Sequence, residues 1–228
     1  MRRVVRGFWG PRPESEQELA VRWSTFLARL RETDPAVFGG WEPIGDATGP
    51  DALAAHLRER NAGDDWSDRK GYAMALSTPA AQPVGVTVSG SGGGSSGHLA
   101  MSVVVTVTAP DDHPPLPYAA ILRALAETWD VDWGEVTETE LQLALEDDGR
   151  EPGQACVGWA AYLSAGRAAL LAPPGGLPGT AEPAGNGGLL LDLSGSVTSV
   201  DDLVAVNRDV RATGALEALP RPMDRAKL

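Results

Sequence analysis

Leu19, Trp23, Phe26, Leu27 and Leu30 recur at steps of four and three, which on an α-helix places them along one apolar stripe. Pro11 and Pro13 lead into that helix, which the pattern starts near Glu14. Glu14, Glu16 and Glu18 precede the stripe, and Arg29 and Arg31 close it, an order that suits the helix dipole. A helix apolar on one side is stable only against another apolar layer, and the remaining sequence offers that layer as strands.

Residues 4–9 form a β-prone segment ahead of the helix. A second helix is predicted from Asp51 to Arg60 with Leu53, Ala54 and Leu57 inward, ending before Gly63. Residues 72–77, 84–89 and 99–108 read as strands, the last rich in β-branched residues from Met101 to Thr108. The Gly/Ser tract at 90–97 reads as a flexible hairpin loop between two of them. Further helices are expected at 116–129, after Thr137 with Glu140 three residues on as a capping box, and after Ser199 with Asp202 likewise. Two more strands, 157–163 and 189–193, flank a Pro/Gly-rich connection at 173–188, and residues 220–228 form a docked or frayed tail. Strands in hairpins with helices beside them predict one α+β domain over residues 1–228. It would have a mainly antiparallel sheet and four or five flanking helices.

Charge narrows the function. Thirty-one carboxylates against 19 Lys and Arg leave a formal charge of -12. Such a field repels phosphate backbones and anionic lipid, so neither nucleic acid nor a membrane is expected as a direct partner, while a cationic protein is attracted. Cys156 is the single cysteine and is expected to be buried and inert, with no internal disulfide. Arg6 and Gly7 interrupt any apolar leader after Met1, which with the lone thiol points to a cytoplasmic location.

Several short motifs match by composition only. Residues 92–97 fit GxGxxG and 93–97 fit GxSxG, but both need a following helix, and a strand is predicted there. His56, His98 and His113 also leave the C-terminal half without a histidine base. Asp51 with Asp68 and Lys70 resembles a metal-dependent nuclease triad, although Asp51 sits more naturally in a helix's first turn. No metal or cofactor is expected.

The stretch from Asp130 to Glu151 holds nine carboxylates against Arg150 alone, with Trp129 and Trp133 at its start. Asp64, Asp65 and Asp68 similarly surround Trp66. Either these runs are solvated faces, or they are aromatic anchors inside an electrostatic rim. On the second reading the partner-binding candidates are Trp129, Asp130, Asp132, Trp133, Glu135, Asp64, Asp65 and Trp66.

Residues 6–15 (RGFWGPRPES), the helix that follows, Asp34-Pro35 and Trp41 together resemble the immunity protein 52 family of bacteria. Val157-Gly158-Trp159, Tyr162-Leu163, residues 191–195 (LDLSG) and residues 220–224 (PRPMD) extend the likeness along most of the chain. The resemblance implies a non-enzymatic protein of a polymorphic toxin system, which binds and blocks a cognate toxin with a restriction-endonuclease-like nuclease domain. A nuclease needs a basic groove, so an acidic inhibitor suits it physically. Trp9, Trp23 and Trp41 are expected to be core aromatics and not contacts. A metal-dependent nuclease and an acidic assembly subunit remain as other readings.

Overall fold

A computed structural model describes residues 1–63, 66–171 and 176–228. The apolar stripe does form a helix, α1 (Glu16–Thr33), which buries Leu19, Ala20, Trp23, Phe26, Leu27 and Leu30. Its start is fixed by a reciprocal cap: the Ser15 hydroxyl accepts from the Glu18 amide, and the Glu18 carboxylate accepts from the Ser15 amide. Those hydrogen bonds from Ser15, backbone first, hold the Glu18 carboxyl below its ordinary range. The depressed value means the cap contributes at neutral pH and fades as pH falls through the folded-state pKa. Ser15→Ala should lower stability by about 1 kcal/mol in urea titration at pH 7. An unchanged midpoint would show the cap to be idle.

The strands are β1 (Arg2–Trp9), β2 (Tyr72–Ser77), β3 (Gly85–Gly92), β4 (Met101–Thr108), β5 (Trp133–Thr137), β6 (Ala160–Leu163), β7 (Thr180–Pro183) and β8 (Leu189–Asp192). They form one sheet in the order β2-β3-β4-β1-β5-β6-β8-β7, and every neighbouring pair is antiparallel. The remaining helices are α2 (Pro50–Arg60), α3 (Tyr118–Trp129), α4 (Thr139–Asp147), the single turn α5 (Ala165–Ala168) and α6 (Val200–Ala212). The fold is therefore α+β, with one short helix more than expected.

Two cores lie on opposite faces, as the alternation of side chains along a strand requires. On the first, α1, α2 and α3 pack over Val5, Trp9, Val103, Val105, Val136, Tyr162 and Leu190. On the second, α4 and α6 cover the neighbouring residues Trp133, Ala161, Leu163 and Leu191. Among the described residues no helix covers the second face over β2 and β3, where Ala73, Ala75, Gly85 and Thr87 are exposed. Helix α3 lies close on β1 and β5 because Gly7 and Gly134 pair across the sheet there. A Cβ on either would collide with Leu125 and Val131, or with Leu122.

Several expectations change. Residues 90–97 are no free hairpin loop: β3 runs to Gly92, and Gly92, Gly93, Gly94 and Ser96 are buried. Gly93 (φ 77°) and Gly71 (φ 72°) allow close backbone approach, Gly93 to Glu14 and Gly71 to Gly92 and Gly94. Thr137 does not cap α4; it is the last residue of β5, and the N-cap is Glu138 without a side-chain bond. The strand expected from 157 starts only at Ala160. The connection at 173–188 contains β7; Pro173, Pro174 and Gly175 lie outside the described residues. The tail is docked, with Gly10 N–H donating to the Ala226 carbonyl (2.8 Å) and Met223 N–H to Gly97 (2.6 Å).

Candidate partner-binding surface

The acidic run is no single face: Asp132 and Glu135 are buried, Asp130, Glu138 and Asp148 are partly covered, and four carboxylates face solvent. Strand β5 lies between β1 and β6, so Trp133 and Glu135 face the second core while its neighbours shield them from water. Glu135 is fully buried and accepts from Arg6, from Gln142 and from the Cys156 thiol. Burial, then Glu135, push that thiol well above its usual range, so Cys156 is inert as a nucleophile. Asp132 is also fully buried: Arg167 Nη2 donates at 2.6 Å, the Leu228 amide at 2.9 Å and Ser164 Oγ at 3.1 Å. Carboxylates in such positions persist because each is paired and hydrogen-bonded.

The other candidates in the run are structural too. Trp129 ends α3 and is only 1% exposed, stacked on Trp9 at 5.7 Å and edge-on to Trp23 at 4.9 Å. Trp133 stacks on Phe8 at 4.5 Å. Asp130 caps α3 in the left-handed region (φ 48°), and its carboxylate binds Lys227 Nζ at 2.8 Å, which ties down the tail. Asp148 pairs with Arg208, whose hydrogen bond holds the carboxyl below its ordinary range. Glu140, Glu146, Asp147 and Glu151 remain exposed.

The block resembling the immunity protein 52 family also builds the fold. Arg12 Nη2 donates to the Trp129 carbonyl at 2.8 Å and Arg22 Nη1 to Thr128 at 2.7 Å, two cations on the C-terminus of α3. Glu14 bridges both arginines. Trp9, Trp23 and Trp41 are all core, as expected.

Trp66 differs from these. It is 38% exposed and sits 5.3 Å from the Tyr72 ring. Asp64 and Asp65 lie outside the described residues. The two rings line a shallow depression of about 510 Å³ with Glu16, Glu18 and Asp68. Three separate segments assemble it. The first turn of α1 supplies the two glutamates, β2 supplies Tyr72, and the turn before β2 supplies Asp68. That turn is held from below by the Gly/Ser tract, since the Ser95 amide donates to the Asp68 carbonyl at 3.0 Å.

The Tyr72 hydroxyl donates to Glu16 at 3.3 Å, and its pKa is raised by burial and by Glu16. Glu18 and Asp68 are exposed and Glu16 is partly so, with Arg58 3.8 Å away. On its other side Trp66 borders Arg60 and Lys70. The depression thus offers a flat apolar anchor beside three carboxylates, an arrangement suited to a cationic protein surface. Sequence reasoning selected Trp66 but missed Glu16, Glu18 and Tyr72. No spacing signal links residues about 50 positions apart, and the glutamates were accounted for by the helix dipole.

The nuclease-like triad does not assemble on adjoining strands. Asp51 stands in the first turn of α2, and Asp68 lies in the turn ahead of β2. Among the described residues, no group of three His, Cys, Asp or Glu side chains converges as a metal ion requires. The GxGxxG tract is followed by β4 and not by a helix. No described helix is long and apolar enough to cross a membrane.

No family model matches the chain, and no curated protein does, so the family resemblance rests on the quoted residues alone. Among solved structures, a T6SS protein of Pseudomonas aeruginosa is similar at a TM-score of 0.48 and 13% identity, covering 95% of this chain and 73% of that one.

Proposed function

We propose that this protein is an immunity protein, which binds and neutralises a cognate bacterial toxin and catalyses nothing itself. The observation that carries the reading is Trp66, an exposed tryptophan beside Tyr72 in a depression edged by Glu16, Glu18 and Asp68. Indole and phenol rings fixed at a surface serve as anchors, and the carboxylates around them draw in a basic partner. The net charge of -12 acts in the same direction at longer range. The resemblance to the immunity protein 52 family supports the reading, and it points to a nuclease as the toxin. A groove that holds phosphates presents the cationic surface this depression would meet. The protein acts in the cytoplasm of the cell that makes the toxin.

Binding should therefore separate from folding at this position. With a cognate toxin as the ligand, Trp66→Ala should weaken the complex by about 2 kcal/mol, or roughly 30-fold, with the urea midpoint unchanged. Asp68→Lys should slow association several-fold and flatten its salt dependence, with a smaller effect on dissociation. Wild-type affinity in both variants would remove this surface from the interface.

A further inference from the structure

A second cavity, of about 250 Å³, opens where β1 and β5 meet the segment after α4 and the C-terminal tail. Its walls hold an excess of positive charge in a strongly negative protein. Arg6, Arg150, Arg167 and Arg221 line it against the single carboxylate of Asp132. Glu135, behind the wall, neutralises Arg6, and Asp132 neutralises Arg167. Arg150 finds mainly a neutral partner, Gln142 Oε1 at 2.8 Å, with Glu146 3.9 Å away and exposed. Arg221, on the exposed tail, has no hydrogen bond or ion pair among the described residues. Arg221 is thus left without a carboxylate, and Arg150 has only a long contact to an exposed one.

The donors are not all used either. Nε of Arg150 and Nε of Arg167 are buried without a hydrogen-bond partner, and Arg167 is fully buried. The apolar part of the wall includes the stacked pair Phe8 and Trp133, together with Trp9, Leu219 and Met223. Planar guanidinium forks match the two oxygens of a carboxylate, and a flat aromatic wall matches a flat body.

We propose that this cavity is a binding site for a carboxylate carried on a planar apolar group. The ligand is either a free aromatic acid or the C-terminal carboxylate of a peptide ending in an aromatic residue. The site is independent of the Trp66 surface and of the immunity reading.

Calorimetric titration of the full chain with benzoate, benzamide, N-acetylphenylalanine and inorganic phosphate tests the proposal. Benzoate or N-acetylphenylalanine should saturate one site with Kd of about 1 mM or tighter. The neutral benzamide should bind at least tenfold more weakly. A free acid as natural ligand predicts benzoate the tighter of the two, and a peptide terminus predicts N-acetylphenylalanine. Arg221→Gln, on an exposed side chain that the fold does not use, should cost roughly tenfold, and Arg150→Gln should do the same. Saturation by neither carboxylate, equal binding of benzamide, tighter binding of phosphate, or wild-type affinity in Arg221→Gln would overturn it.

Discussion

Replacing Arg167 with methionine should lower the stability of the protein by about 3–5 kcal/mol, read from urea unfolding at neutral pH. Arg167 is fully buried, and its guanidinium joins three parts of the chain. Nη2 donates to Asp132, and Nη1 donates to the carbonyls of Ala215 and Glu217, both at 2.8 Å. Methionine fills a similar volume but leaves the Asp132 carboxylate without its cation, retaining only Ser164 and the Leu228 amide. Most of the cost arises from that stranded charge, and little from lost packing. The double variant Arg167→Met with Asp132→Leu should therefore recover part of the loss. Equal loss in the single and double variants would mean that the guanidinium acts through the two carbonyls, and not through the ion pair.

Trp129→Ala is the second large effect, at about 3–5 kcal/mol. The ring lies between Trp9 and Trp23 at the centre of the first core, and removing it leaves a cavity that α1, β1 and α3 cannot all close. Trp129→Phe should cost much less. The indole Nε1 is buried without a partner, so phenylalanine keeps a stacking ring while removing an unsatisfied donor. Neither variant should change the affinity of folded protein for its partner, because Trp129 is internal. This opposes Trp66→Ala, where affinity falls and stability holds. Tryptophans at the two positions are the same residue type beside acidic neighbours, and only their burial separates them.

That contrast explains what could be read from the sequence. The helical stripe of α1, the capping serine Ser199 and the β-branched run of β4 were legible because each is a local pattern with a local cause, whereas the Ser15 cap was passed over for a start at Glu14. Strand β5 was not. Its residues Trp133, Glu135 and Thr137 look like part of an acidic surface run, because the cations that allow Glu135 and nearby Asp132 to be buried lie far away, at Arg6 and Arg167. Local polarity cannot reveal a long-range ion pair. The Gly/Ser tract at 90–97 misled in a related way: its glycines suggest mobility, whereas Gly93 and Gly94 are needed because Glu14, Arg69 and Lys70 approach with their backbones. For the binding surface, Trp66 was visible as an aromatic among aspartates. Its companions came from α1 and β2 through tertiary packing alone.

The central claim is that the protein protects by binding. Its most direct test is survival of cells that express a candidate toxin, with and without this protein, followed by purification of the complex. The account predicts that wild-type protein restores growth and co-purifies with the toxin, and that Trp66→Ala, though soluble, protects poorly. Death of the cells despite soluble wild-type protein and an active toxin would contradict it.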